Sequence, residues 1–467
     1  MSRFDLSRQD TICALATASA PAALAVIRVS GQEADCIREA VFRPRKGPQK
    51  RFVATFGDVL GTKVGDDQHV RDGNSPPIID EAICTSFPAG KSYTGEDAFE
   101  LSIHGGPSRV ASVLASLQAA GCRLAEPGEF TLRAVLTGRI DLTAAEAVHD
   151  VVSARSDTAA QVALRTLAGE LKTYLMEIRS QLISELAERE ARLDHPDEEL
   201  GHYDASSFLT RCDTIQSQLQ RLAQTAQLGR RLTEGARIVL YGLPNAGKST
   251  LLNRLVGEKK ALVHESPGTT RDVLEVDAVL KEIPIVLVDV AGVRTMGDIH
   301  PVEQLGIERA GIELEKADIV LFLEEPDTPS ADVTMLVEKL PENVSVIRVH
   351  TKSDLADQPT LKPSTGLHLS AQTGMGISEL ENRIVSILKE GAEIGDEIIL
   401  TRARQKAEVE RCRNALQEAQ GAQRASAPDE VIASELRAAA RALDRLLGLE
   451  LDEDVLDEIF SRFCIGK

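Results

Sequence analysis

A chain of 467 residues, 43% of them apolar, has the material for about three globular domains. A formal net charge of −19 argues against a surface that is basic throughout, so nucleic acid would be met by a local patch or presented by a partner. Seven cysteines without a Cys-x-x-Cys pair give no zinc signature and fit a reducing setting, so free thiols and a cytoplasmic location are expected.

The stretch Thr11 to Val29 has the outline of a secretory signal, since Arg3 and Arg8 precede an alanine-rich run. Asp5 and Asp10 spoil its basic region, and Pro21 and Arg28 interrupt its apolar run. Leu24 to Val29 reads instead as a strand closed by a Ser30-Gly31 turn. No segment reaches about 18 uninterrupted apolar residues, so no membrane span is expected. Residues 1–125 carry short β-like runs, Phe52 to Leu60 and Ile78 to Phe87 among them, between Gly/Pro/Asp-rich turns, which predicts an α+β domain. Arg43, Arg45, Lys46, Lys50 and Arg51 form one basic cluster, read as a solvated loop in preference to a nucleic-acid site.

Residues 126–233 turn helical. Leu164, Leu167, Leu171, Leu175, Ile178, Leu182 and Leu186 recur every three or four positions, which predicts an apolar face for a core or a partner helix. Strands then alternate with helices over 234–392, and strong helix formers resume over 393–467, ending in Cys-Ile-Gly-Lys. The pattern predicts a multidomain α/β plus α protein, in which a doubly wound α/β module is inserted into a discontinuous helical domain.

At the head of that module, Gly242-Leu243-Pro244-Asn245-Ala246-Gly247-Lys248-Ser249 fits Gly-x-x-x-x-Gly-Lys-Ser at every required position, between a buried strand (Ala236 to Tyr241) and a helix (Thr250 to Leu255). Such a loop wraps triphosphate with backbone N–H groups; Lys248 neutralises the β and γ phosphates and the Ser249 hydroxyl binds Mg²⁺. Asp289-Val290-Ala291-Gly292 follows the strand Ile285 to Val288 and matches Asp-x-x-Gly, whose Asp reaches Mg²⁺ through water. Thr351-Lys352-Ser353-Asp354, after the strand Val344 to Val349, is similar to Asn-Lys-x-Asp with Thr in place of Asn. The Asp354 carboxylate can accept two N–H bonds from guanine that adenine cannot offer. The shorter Thr351 is expected to keep specificity and weaken affinity. Ser370-Ala371-Gln372 matches the Ser-Ala-Lys loop that presents a backbone N–H to the base. The order of these loops predicts a GTPase. Val293, where many GTPases carry a water-orienting Gln, cannot do that work. Asn245 and Gly268-Thr269-Thr270-Arg271-Asp272 suggest a substitute: Thr270 completing the Mg²⁺ shell, and an Asn carbonyl with loop carbonyls forming an oxygen site for a monovalent cation. The other reading of Asn245, a residue that merely fits a tight loop, stands beside this one.

The chain resembles the tRNA modification GTPase family MnmE, also called TrmE, over essentially its whole length. The likeness rests on Ile27-Arg28-Val29-Ser30-Gly31, Tyr93-Thr94-Gly95-Glu96-Asp97, Glu100-Leu101, His104-Gly105-Gly106-Pro107, Pro127-Gly128-Glu129-Phe130, the module with Gly-Thr-Thr-Arg-Asp, and Phe463-Cys464-Ile465-Gly466-Lys467. The resemblance implies a folate-binding fold in residues 1–125 that drives homodimerisation, and GTPase modules that pair across K⁺ during hydrolysis. It also implies, with the flavoprotein MnmG, a carboxymethylaminomethyl-type modification at C5 of the wobble uridine of tRNA. The one-carbon unit would come from a 5-formyl- or methylene-tetrahydrofolate. Position by position, it puts Asn245, His264, Ser266 and Thr269 on K⁺, with His264 departing from the more usual Thr. Ser249 and Thr270 fall on Mg²⁺, and Ala246, Gly247, Lys248 and Thr250 on the nucleotide. Glu303 falls on the glutamate that orders the catalytic water, with two extra residues before it; its alternative is an exposed carboxylate in a first helical turn. Arg28, Glu100, Arg139 and Lys467 fall on folate, Arg139 standing where the family often has Lys. Cys464 is the candidate for the modification chemistry, although its acidic neighbours raise a thiol pKa. The competing function is a GTP-dependent RNA or ribosome assembly switch without folate chemistry.

Overall fold

The computed structural model describes residues 10–61, 76–194, 204–257, 273–290, 309–325, 330–338, 340–341, 344–354, 366–389, 397–450, 453–461, 463 and 466. The chain divides into two compact units, Met1–His149 with Asp444–Lys467, and Asp150–Leu443.

In the first unit, β1 (Ile12–Leu15), β2 (Leu24–Ser30), β3 (Phe42–Pro44), β4 (Thr55–Leu60), β5 (Ile78–Phe87), β6 (Ala98–His104) and β7 (Arg123–Leu124) form a sheet in the order β3-β4-β5-β6-β2-β1-β7. It is antiparallel except where β7 runs beside β1 in the same direction. Helices α1 (Ala34–Val41) and α2 (Pro107–Ala119) bury one face: Ile37, Val41, Val113 and Leu117 pack on Ile27, Val29, Phe99, Leu101 and Ile103. Because strand side chains alternate, residues 28 and 100 fall on the opposite face, directly across from each other in the β2–β6 register. Helices α3 (Glu129–Leu136) and α4 (Leu142–Ser153) share a second core with the helix Glu453–Phe460, through Leu132, Val135, Leu142, Leu456, Phe460 and Phe463. Gly128, at φ +79°, leads into α3 where a Cβ would lie 2.9 Å from Phe460. The three arginines of the basic cluster have acidic neighbours: Arg43 and Arg45 face Asp58, and Arg51 pairs with Asp35 at 2.8 Å.

The second unit opens with α5 (Asp157–Leu167), α6 (Glu170–Asp194), α7 (Ala205–Gln224) and α8 (Ala226–Glu234). Ser156 caps α5 by accepting the Ala159 N–H at 3.2 Å. The apolar stripe is not continuous. Gly169, at φ +92°, breaks the helix between α5 and α6 and resets the phase, so Leu171, Leu175, Ile178 and Leu182 are buried while Leu164 is 51% exposed.

After α8 come β8 (Ala236–Gly242), α9 (Lys248–Gly257), β9 (Val273–Leu280), β10 (Ile283–Val290), β11 (Ile319–Glu324), α10 (Ser330–Val337), β12 (Ser345–His350), β13 (Leu367–His368) and α11 (Ile377–Lys389). Their sheet runs β13-β12-β11-β8-β10-β9, parallel except at β9–β10. Both faces are covered: Leu251, Leu255, Leu380 and Ile384 pack on one, Ala310, Leu314 and Leu336 on the other. This is a doubly wound P-loop module, and its central strands are accordingly apolar along most of their length. The chain then returns to the helices as α12 (Ala403–Arg424) and α13 (Asp429–Leu447), α12 lying along α7 with Gln216 Nε2 donating to Arg413 O at 2.7 Å. The return meets the departure closely. Leu400 N–H donates to Thr225 Oγ1 at 3.1 Å, and the Leu400 carbonyl sits where a side chain on Gly229 would be.

Candidate functional site

Strand β8 lies between β10 and β11 and ends at Gly242, whose missing Cβ makes room for the Leu323 carbonyl of β11. Asn245 (φ +67°) and Gly247 (φ +83°) turn the loop back through left-handed backbone before α9 begins at Lys248. That backbone accounts by itself for an asparagine at 245, and its side chain is exposed. Ala246 is buried, and Thr250 is exposed on the first turn of α9.

The Lys248 ammonium is buried and donates to the carbonyls of Gly242 (3.1 Å) and Leu243 (2.9 Å), which curls the side chain over the loop. Burial holds its pKa below the ordinary lysine value, with Asp289 pulling the other way. Ser249 Oγ donates to Asp289 Oδ2 at 2.6 Å, which joins the helix start to the end of β10; Val290 beside it is buried. A hydroxyl and a carboxylate oxygen converge here at a helix N-terminus beside a lysine. That donor set suits a hard divalent cation such as Mg²⁺ and a polyanion bound to it.

The two loops that carry the Thr351-Lys352-Ser353-Asp354 and Ser370-Ala371-Gln372 motifs leave the ends of β12 and β13. Thr351 is buried, its N–H donating to Glu324 O at 2.9 Å and its Oγ1 to Ala246 O at 3.0 Å. The short side chain therefore still reaches the phosphate loop. Lys352, at φ +56°, places its Nζ 2.8 Å from Glu325 Oε1, and Asp354 is exposed. Ser353 N–H donates to Leu369 O at 3.2 Å, tying this loop to the second one. There Ser370 is fully buried, its Oγ accepting from Thr373 N–H at 3.2 Å, while Ala371 is half-buried and Gln372 exposed. Asn245, Lys248, Ser249, Asp289, Thr351 and Ser370 thus sit on the loops at one end of one sheet. His264, Ser266, Thr269, Thr270, Ala291, Gly292, Glu303, Cys464 and Lys467 lie outside the described residues.

In the first unit, Arg28 Nε donates to Glu100 Oε1 at 2.9 Å, and both side chains are partly exposed. The Arg28 guanidinium lies over the rings of Tyr93 (4.8 Å) and Phe130 (5.7 Å), which hold the arginine flat by cation–π contact. Arg139 is exposed and its Nε lies 3.4 Å from Ser92 O. Behind this bed, Arg133 binds Asp10, Glu129 and Glu96, and Arg123 binds Asp10 and Glu129, in a half-buried ion network. Arg123 and Arg133 hold the Asp10 carboxyl below the usual range, against burial. Burial would raise Glu129, but Arg123 and the Glu126 N–H bring it below the usual range. A guanidinium–carboxylate pair on an aromatic bed suits a flat heterocycle with an anionic arm, which is the chemistry of a folate.

Sequence reading missed Tyr93 and Phe130 as supports of Arg28, and missed the row Glu324, His350 and His368 at the ends of β11, β12 and β13. Neither has a local signal, since each depends on strand register. Among the described residues, no group of three or more His, Cys, Asp or Glu is placed to hold a metal ion, and no helix is long and apolar enough to cross a membrane.

Comparison with known proteins places these features. A profile for the MnmE helical domain matches residues 142–464, and one for the GTP-binding protein TrmE N-terminus matches residues 11–139. The tRNA modification GTPase MnmE of a Synechococcus strain is 38% identical over 466 residues, 99% of each chain. That of Symbiobacterium thermophilum is 38% identical over 471 residues, covering 98% of this chain and 100% of its own. Among solved structures, the G domain of the T. maritima FeoB iron transporter is 29% identical with a TM-score of 0.27, across 32% of this chain and 98% of that one.

Proposed function

Since the chain belongs to the MnmE family and is a GTPase of tRNA modification, we propose that its hydrolysis of GTP is potassium-activated and drives folate-dependent modification of the wobble uridine of tRNA. The partners in this reading are a second copy of the chain, the flavoprotein MnmG and the tRNA substrate, and the setting is the cytoplasm. One observation carries it: the Arg28–Glu100 pair on its Tyr93 and Phe130 bed. A plain GTP switch needs only the loops of the module. The pair supplies a second polar site in a unit that holds none of those loops.

In the module, Lys248 and the N–H groups of the loop bind the phosphates, Ser249 and Thr270 hold Mg²⁺, and Asn245, His264, Ser266 and Thr269 hold K⁺. The two cations, when bound, offset the charge that develops on the transferring phosphoryl group. Glu303 orients the attacking water, since Val293 cannot. Asp354 accepts from the guanine edge while Lys352 and residues 370–372 flank it. In the first unit, Arg28, Arg139 and Lys467 bind the carboxylates of a 5-formyl- or methylene-tetrahydrofolate, and Glu100 accepts from its pterin edge. Cys464 serves the modification step. Burial pushes the Cys84, Cys212 and Cys412 thiols up to about 12, which leaves those three poor nucleophiles at neutral pH.

Two measurements test this reading together. GTP hydrolysis in K⁺ should exceed that in Na⁺ at equal ionic strength by about tenfold or more, and calorimetry should show 5-formyltetrahydrofolate binding that Arg28→Ala weakens. Equal rates in both salts would remove the cation site. Folate binding unaffected by the variant would remove the Arg28 site and leave a GTP-dependent switch.

A further inference from the structure

Three parallel strands of the module end on one rung. In register, Glu324 of β11 stands beside His350 of β12, and His350 beside His368 of β13. Neighbouring strands lie about 4.8 Å apart, so like side chains on one rung meet face to face. The two imidazoles do so, with centroids 4.7 Å apart and planes inclined by 23°, and His350 Nδ1 lies 3.2 Å from Glu324 Oε1. The rung is the last one before both base-side loops. Thr351 follows His350, Ser370 comes two residues after His368, and Leu369 N–H donates to His350 O at 2.9 Å.

We propose that the His350–His368 stack, clamped by Glu324, sets the spacing of the two loops that read the guanine base, and that protonating it weakens nucleotide binding. The proposal rests on the assignment of Asp354 and residues 370–372 to the base.

The carboxylate beside Nδ1 fixes the proton there, leaving Nε2 as a bare acceptor. Among the described residues Nε2 is buried without a hydrogen-bond partner, and Gly366 packs against it so closely that a Cβ would lie 2.5 Å away. A second proton would therefore put an N–H against Gly366 with nothing to receive it. It would also set a charge facing His368 of β13 and Arg348 of β12, with Glu324 of β11 the opposing group among the described residues; Lys352, two positions along the chain, is paired with Glu325. Burial first, then His368 and Arg348, hold His350 below the ordinary histidine value against the pull of Glu324. The neutral stack is the form that aligns the loops. Nucleotide affinity is thus complete above about pH 6.5 and lost as pH falls through the lowered value of the nucleotide-free chain, and by reciprocity bound nucleotide lowers the His350 pKa further.

The experiment measures GDP affinity by fluorescence between about pH 8 and about pH 5.5 in the full chain. His350→Asn keeps a donor toward Glu324 and cannot titrate there. The nucleotide's own phosphate titration is common to all variants. Between the two pH limits, affinity should fall about threefold more in the wild type than in His350→Asn, and His368→Ala should bind more weakly at every pH. Parallel curves for wild type and His350→Asn would overturn the proposal, as would wild-type affinity in His368→Ala. Should either variant fold poorly, NMR of the histidine-labelled wild type decides: the His350 midpoint should drop when GDP is added, and an unmoved midpoint overturns the proposal. Asp354→Asn provides the separation. If it fails to shift preference toward xanthosine nucleotides, the base-site assignment fails; if it does shift and the pH curves stay parallel, the stack proposal alone fails.

Discussion

The nucleotide module and the first unit both hold polar groups against an apolar sheet, but they assemble them differently. In the module the working groups sit on turns at strand ends, and neighbours in space are often neighbours in sequence: Lys248 folds back onto Gly242 and Leu243 of its own loop. In the first unit the central pair, Arg28 and Glu100, comes from two strands 72 positions apart, and the rings beneath it come from a loop and a helix. A site made of backbone and one turn tolerates change around it. A site made of long side chains depends on the register of a whole sheet and on the ion network behind it.

That contrast can be broken most sharply at Lys248. Lys248→Ala should reduce single-turnover GTP hydrolysis by about 1,000-fold and leave folate binding as it was; a parallel loss of folate binding would show that the two regions are not separable. Next in size is Arg133→Met, which leaves Asp10, Glu96 and Glu129 facing one another. It should destabilise the first unit by about 3 kcal/mol, read as a lower Tm, with the GTPase rate retained. Acid should act on the same network. Asp10 and Glu129 have depressed pKa values, so their contribution is complete above about pH 5 and fades as pH falls through the native values. Loss of near-ultraviolet ellipticity below about pH 4, blunted in Arg133→Met, would bear this out. Arg28→Ala should weaken folate binding about tenfold with no change in GTP hydrolysis. The smallest effect belongs to Thr351→Asn. Because Thr351 Oγ1 already donates to Ala246 O, restoring the longer side chain should change GTP affinity by no more than about twofold; a large gain would mean that the threonine contact is weak in solution.

How legible each region was follows from the same difference. The order of the phosphate, Asp-x-x-Gly and base-side loops, and the doubly wound fold that carries them, could be read from residues because each motif is local. Even there the effect of Thr351 required the fold, since its partner lies 105 positions away in the phosphate loop. The Arg28 site could be reached only through family resemblance, and Tyr93 and Phe130 only through the packed structure. Periodicity failed at Leu164 because Gly169 starts a new helix, and a hydrophobic stripe carries no mark of where its phase resets. The row of Glu324, His350 and His368 was invisible for a simpler reason. Three strands must be laid side by side before those residues share a rung.

The meeting of Leu400 with Thr225 and Gly229 bears on how such a protein is put together. The chain leaves the helices for the GTPase module and returns to them at neighbouring points, like a clause set in parentheses, while Arg155 and Arg231 of the helical part also reach Asp277 and Asp318 of the module. Helices on either side of the interruption already touch, α7 with α12, so most of the sentence around the parenthesis stands without it, Arg231 being the buried group that would lose its partners. A short bridge between the points of departure and return should let the helical set fold alone, and a different nucleotide switch with the same two closely spaced ends could be fitted as a replacement cartridge.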